Sequence, residues 1–338
     1  MKILAIESTC DETAVAVVED GRKVLCDCIA SQVDLHRIYG GVVPEIASRK
    51  HIEAIYALAD NAIAQAGITR DDIDAVAVTY APGLIGAVLV GVNFAKAVSL
   101  ALNKPLIPVH HIRGHIAANY IAYPDLEPPF LCLVVSGGHT MIVDVEDYTS
   151  MHILGTTLDD AAGECFDKVA RVLGMPYPGG AALDKCAQLG NDKAYQLPRS
   201  KPGENPLDMS FSGLKTAALN LIHHADQVGE RININDLCAS FCAAVSDNLI
   251  PRVERALSTT GRKKLAIAGG VAANSRIRSD LLSASEKMGA SVYMPPLSLC
   301  GDNASMIGAQ AYYEFISGNI SDMNLNGYAT KSILGERV

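Results

Sequence analysis

The chain opens each of its two halves in the same way, and that duplication constrains its fold more than any other feature. KILAIES (2–8) is an apolar run, ETAVAVVED (12–20) is a second, and a short polar loop between them carries Cys10 and Asp11. Asp20-Gly21 then supplies a hairpin turn before KVLC (23–26). Residues 130–146, FLCLVVSGGHTMIVDVE, repeat the plan: apolar run, small polar loop, apolar run, acidic turn, and then MHILG (151–155). Two openings of one design predict an internal duplication. Between them YPDLEPPF (123–130) is rich in proline and acid, the composition of a linker. The reading therefore divides the chain into an N-terminal domain at 1–125, with a helical insertion at about 31–67, and a C-terminal domain at 126–338.

The rest of each half alternates. PEIASRKHIEAIYALADNAIAQAG (44–67) predicts a long amphipathic helix ending at Gly67, DIDAVAVTYAPG (72–83) a strand, 84–102 an apolar helix, PLIPVHH (105–111) a strand and IRGHIAANYIAY (112–123) its helix. The second half predicts helices around 159–174, 179–190, 213–226 and 236–258, then a strand–glycine turn–helix unit over KLAIAGGVAANSRIRSDL (264–281). SVYMPP (291–296) and DNASMIGAQAYYEFISG (302–318) close the chain. The fold class is α/β, two duplicated domains of the actin-like (ribonuclease H-like) kind, an architecture that binds a nucleotide in the cleft between its domains.

At 338 residues and 49% hydrophobic, the chain has ample apolar material for two buried sheets. Its net charge of −9 argues against a protein that lives mainly on phosphate contacts, and with no tryptophan it offers few stacking platforms for single-stranded nucleic acid. The nine cysteines contain no CxxC pair, and Cys238 and Cys242 read as core thiols, as in a reducing cytoplasm. MKILAIEST runs straight into a strand without a signal peptide, and the apolar stretch 83–102 is broken by Asn93 and Lys96, so a buried helix is expected there and no membrane span.

Phosphate recognition needs backbone N–H groups that a ligand can approach, which means glycine and often a helix start. VSGGHT (135–140) and AGGVAANSRIR (268–278) have that character, with Asn274 suited to a base or ribose. Each alone reads equally as a tight turn; together with the duplicated hairpin they predict a nucleotide site. Gly179-Gly180 precede a helix that carries Asp184, and Asp167 sits on an earlier helix, where a carboxylate is ordinarily just solvated. HHIRGH (110–115) sets His111 and His115 at i and i+4, on one face of a helix, the spacing of two imidazoles sharing a metal. A zinc peptidase would need a glutamate where this chain has Ile112. Asp302, in CGDNASMIGAQ (300–310), is a candidate third ligand that spacing alone does not select over other carboxylates.

These segments, together with ESTCDETAVAVV (7–18), GGVVPEIASRKH (40–51), APGLIGAVLVG (81–91), DDAAGECFDKVARVLG (159–174), YPGG (177–180), FSGLKTA (211–217) and GDNASMIG (301–308), resemble the TsaD family from Ile3 to about Lys331. Those enzymes are tRNA adenosine threonylcarbamoyltransferases, formerly labelled O-sialoglycoprotein endopeptidases. The resemblance implies transfer of a threonylcarbamoyl group from threonylcarbamoyl-adenylate to N6 of the adenosine 3′ of the anticodon, in tRNAs reading codons that begin with A. It implies that His111, His115 and Asp302 ligate one divalent metal, iron or zinc. It further implies that Val135, Ser136, Gly137, Gly138, His139, Asp167, Gly180, Asp184 and Asn274 bind the adenylate, with ATP as a further candidate nucleotide, most of that site lying in the C-terminal domain. Asp11 is the implied catalytic residue, with Glu7 and Glu12 as neighbouring rivals for the proton. Implied partners are tRNA, an inactive paralogue subunit and a small ATPase, in the bacterial cytoplasm. The alternatives are an actin-like small-molecule kinase and an ATP-binding scaffold.

Overall fold

The computed structural model describes residues 1–200 and 203–334, which form two compact units. The first holds Met1–Pro128, Glu146–Met151 and the chain from Pro295 on; the second holds Pro129–Val145 and His152–Met294.

In the first unit β1 (Lys2–Glu7), β2 (Glu12–Glu19) and β3 (Lys23–Ser31) form an antiparallel meander. The turn between β2 and β3 is the expected one, with Asp20 and Gly21 both at positive φ, 51° and 68°. The short helix α1 (Val33–Arg37) and the long α2 (Pro44–Gln65) follow, α2 starting with proline at its first turn, where a missing N–H costs nothing. Then come β4 (Ala75–Ala81), α3 (Ile85–Leu102), β5 (Leu106–His110) and α4 (His111–Ala122). The five-stranded sheet runs β3-β2-β1-β4-β5, with β4 parallel to β1 and β5 parallel to β4.

The second unit repeats this plan. Its strands are β6 (Phe130–Val135), β7 (Thr140–Val145), β8 (Met151–Thr156), β9 (Lys264–Ala268) and β10 (Ser291–Tyr293), and its helices are α5 (Ala162–Val172), α6 (Gly179–Ala187), α7 (Ser212–Val228), α8 (Ile234–Thr260) and α9 (Ser275–Met288). The order is β8-β7-β6-β9-β10, with β7 antiparallel and β9 parallel to β6. The two sheets are the same in topology, strand for strand, which is the duplication expected from the paired openings.

Both faces of the first sheet are covered, which is why β1 and β4 are continuous apolar runs without a polar alternation. Leu4, Ile6, Val15, Val17, Val76 and Val78 face α2 and α3. Ile3, Ala5, Ala14, Ala16, Ala75 and Ala77 face the other way, onto α4 and the last helix, α10 (Ala304–Ile316). The alanine-rich face lets α10 come close: a Cβ on Gly308 would stand 2.5 Å from Val18 Cγ2. The helix α3 has the length and apolarity of a membrane span, the one such helix among the described residues, yet it packs Ala87, Val88, Gly91, Val92 and Ala95 into this core.

The expected division at 125/126 is corrected here. The first unit runs to Pro128, Leu126 of the presumed linker is fully buried, and α10 belongs to the first sheet and not to the C-terminal domain. One apolar face of the first sheet is covered by α4 together with α10, a segment about 300 positions along the chain from β1.

Candidate metal centre and glycine loops

Strand β5 delivers the chain into α4, so His111 occupies the first helical position and His115 the next turn. The helix start is capped by His110, whose Nδ1 accepts from the Ile112 N–H at 3.3 Å. Asp302 comes from the loop before α10, whose N-cap Asn303 accepts from Met306 N–H at 2.9 Å. One donor atom from each of His111, His115 and Asp302 lies within 4.8 Å of the others. The Nε2 atoms of His111 and His115 stand 3.5 and 3.2 Å from Asp302 Oδ1. Ligands about 2.1 Å from one ion, at tetrahedral or octahedral angles, sit about 3 to 3.5 Å apart, so the trio has the spacing of a nitrogen/oxygen metal site. His115 Nδ1 is buried and has no hydrogen-bond partner among the described residues, so this ring is spent on its Nε2 side alone. The donor chemistry and the spacing fit a divalent transition metal.

Glu7, at the end of β1, is wholly buried beside this trio. Its Oε2 lies 3.0 Å from His111 Nδ1 and accepts from Thr79 Oγ1 at 2.6 Å, and its Oε1 accepts from Thr9 N–H at 2.6 Å. Burial alone would raise the Glu7 carboxyl, but the adjacent His111 outweighs it and holds it below the ordinary carboxylate value. Burial likewise works to lower the His111 pKa, and the Glu7 and Asp302 carboxylates overcome it, pushing the ring up to about 9. In the neighbouring loop Asp11 is 6% exposed, and Glu12 is raised to about 9, first by burial and then by its hydrogen bond to Asp11.

The second unit assembles the glycine loops. The turn after β6 is closed by Ser136 N–H to His139 O at 2.7 Å, and Ser136 Oγ accepts from His139 N–H at 3.1 Å. Neither Gly137 nor Gly138 has a positive φ, and a Cβ on either would meet nothing within 4 Å. Among the described residues neither backbone strain nor close packing requires glycine at these two positions. Gly163 and Gly269 press on this same turn: a Cβ on either would lie 2.5 Å from the Ser136 or Val135 carbonyl oxygen, respectively. Asp167, on α5, accepts from Gly179 N–H at 2.8 Å at the start of α6, while Gly180 beside it faces open space but for one Phe166 contact at 3.9 Å. Asp184 accepts from Ser275 Oγ at 2.8 Å, and Asn274 caps α9 by accepting from Ile277 N–H at 3.0 Å. Asp184, Cys242, Ser275 and Arg276 line a cavity of about 320 Å³.

The structure thus gathers the three expected ligands into one cluster with Glu7 and gathers the expected second-unit residues around two adjoining loops. Sequence reasoning missed Thr79 and the part Glu7 plays behind His111. The available signal was an acid ending an otherwise apolar buried strand.

The sequence profile of the TsaD family, tRNA N6-adenosine threonylcarbamoyltransferase, matches residues 23–309. A tRNA N6-adenosine threonylcarbamoyltransferase of Clostridium perfringens is 54% identical over 335 residues, covering 99% of this chain and 98% of the relative. That of Moorella thermoacetica is 55% identical over 324 residues, 96% and 95% of the two chains. Among solved structures, HypF of T. kodakarensis superposes with a TM-score of 0.64 at 15% identity, over 94% of this chain and 48% of that one. Component A of the Acidaminococcus fermentans (R)-2-hydroxyglutaryl-CoA dehydratase does so with a TM-score of 0.54 at 15% identity, over 93% and 98%. Those two likenesses support the duplicated α/β fold alone. The profile covers most of the chain and the curated relatives match nearly all of it, so this chain belongs to the TsaD family of tRNA N6-adenosine threonylcarbamoyltransferases.

Proposed function

We propose that the protein transfers the threonylcarbamoyl group of threonylcarbamoyl-adenylate to N6 of the adenosine 3′ of the anticodon, in tRNAs reading codons that begin with A, and releases AMP. What carries the reading is a 54% identity to a curated transferase over nearly the full length, in a chain that brings His111, His115 and Asp302 together. The amine nitrogen attacks the carbamoyl carbonyl carbon, the carbon–oxygen bond to the phosphate breaks, and one proton leaves the amine. The donor is a mixed anhydride and already activated, so the protein needs no covalent nucleophile; it must position, neutralise charge and accept that proton.

In this reading His111, His115 and Asp302 hold one divalent metal, iron or zinc. When bound, the metal supplies positive charge for the carbamoyl and phosphate oxygens. Asp11, 6% exposed in the loop after β1, orients the amine or takes its proton. Val135 to His139, with Asp167, Gly180, Asp184 and Asn274, hold the adenylate, and the open Gly137 and Gly138 admit it; ATP is a further candidate occupant. A chain of net charge −9 is poorly suited to grip a tRNA alone, which supports a bacterial cytoplasmic system completed by an inactive paralogue and a small ATPase. A peptidase mechanism lacks its base, because Ile112 stands in the glutamate's place and is buried.

The test is nucleoside mass spectrometry of unmodified tRNA incubated with the protein and threonylcarbamoyl-adenylate, with and without extract from a strain lacking the protein. Threonylcarbamoyladenosine formed only when the protein is present is the expected result. No product in either condition, with adenylate intact and metal bound, overturns the reading in favour of an actin-like kinase or a scaffold.

A further inference from the structure

We propose that Glu7 is a positioning residue of the metal centre: its carboxylate accepts the Nδ1 proton of His111 and so turns the Nε2 lone pair toward the ion. The inference rests on the metal-centre reading above and deepens it.

Three observations carry it. A carboxylate only accepts, and Thr9 N–H and Thr79 Oγ1 already donate to its Oε1 and Oε2, so of the two groups at His111 Nδ1, Glu7 Oε2 at 3.0 Å and the Thr9 hydroxyl at 3.3 Å, the nearer carboxylate takes the ring proton. The two donors come from different strands and loops and hold the carboxylate against rotation. A ring that donates from Nδ1 keeps its lone pair on Nε2, the atom that faces Asp302. The second histidine lacks this support. His115 Nδ1 is buried with no partner among the described residues, so within the trio it is His111 whose tautomer and tilt are set from behind. A carboxylate buried at the end of an apolar strand is costly, and it persists where its partners compensate.

The same geometry removes Glu7 from the candidates for the amine proton. It is wholly buried, and all its contacts point inward to Thr9, Thr79 and His111. It acts on the chemistry only through the ring it holds.

Glu7→Gln tests this with almost no change of shape. To keep accepting from Thr9 N–H, the glutamine must place its NH2 against His111, which then has to accept on Nδ1 and carry its proton on Nε2. Zinc affinity of the purified full chain, measured by chelator competition, is expected to fall about 10- to 100-fold. The melting temperature of the metal-free protein should stay near that of the wild type. A metal-free variant that melts normally and binds zinc as tightly as the wild type overturns the proposal.

Nitrogen-15 NMR of zinc-loaded wild type is an independent check that needs no variant. Nδ1 of His111 should be protonated and Nε2 metal-bound; the reverse assignment overturns the proposal even if Glu7→Gln fails to fold. Asp302→Ala separates the two readings. Wild type that binds no zinc, or binds it equally without Asp302, sinks the metal centre itself. Zinc held through Asp302 but indifferent to Glu7→Gln sinks only the role of Glu7.

Discussion

His51 lies fully buried in α2, where its Nδ1 stands 2.7 Å from Thr13 Oγ1 and its Nε2 3.0 Å from Cys10 O. A carbonyl only accepts, so Nε2 is the donor, and in the neutral ring Nδ1 accepts from the threonine hydroxyl. Burial holds its pKa below the ordinary histidine value of 6.5. The sign of the pH dependence follows. The unfolded chain binds a proton at His51 near pH 6.5 and the folded chain does not, so stability is complete above that pH and falls as pH drops below it. The slope from this one group is at most about 1.4 kcal/mol per pH unit. Urea unfolding between pH 7.5 and 5 should lose stability less steeply for His51→Gln than for the wild type; equal slopes would place the proton elsewhere. Several expected site residues also have structural work. Asp167, Asp184 and Asn274 each accept backbone N–H groups, at Gly179, Ser275 and Ile277. Asn274 capping the helix that follows it is a local pattern that residue type and position announce. The reach of Asp184 to Ser275 spans 91 positions, and no periodicity encodes it.

Helices were legible where their pattern was local. Pro44 at the start of α2 and Gly67 just beyond its end bracket that helix as their preferences require. What α10 packs on was not legible, because its run of small residues suits any close neighbour. It lies against the alanine face of the first sheet, and Gly308 is the point of closest approach, with Val18 Cγ2 2.5 Å and Ala5 Cβ 3.3 Å from where a Cβ would be. Gly308→Ala should therefore push α10 off the sheet and cost about 1–3 kcal/mol, readable as a lower urea midpoint at unchanged slope. Because α10 follows Asp302 directly, zinc affinity should fall with it. An unchanged midpoint would mean that the helix can back away freely.

For the whole molecule, the return of the chain to its first unit sets what can fold. A chain ended after residue 294 lacks α10 and strips part of the cover from Ile3, Ala5, Ala16 and Val18, which then have α4 but not α10 against them. It should bind a hydrophobic dye, lose zinc binding, and unfold with only the transition of the second unit. A single cooperative transition with no dye binding would contradict that assignment of the C-terminal segment. The sequence by itself determined the duplication, the order of strands and helices, and the residue types that make a His-His-carboxylate centre and glycine loops. All of these are written in short-range patterns: apolar runs, turn pairs, and the i, i+4 spacing of His111 and His115. The tertiary packing showed that residues from Pro295 on complete the first unit and that Glu7 lies behind His111, and it brought to the two histidines the Asp302 carboxylate that the family resemblance implied and spacing could not select. Those are meetings of positions up to about 300 residues apart, between side chains whose identities suit many partners, and only the packing of both sheet faces selects among them.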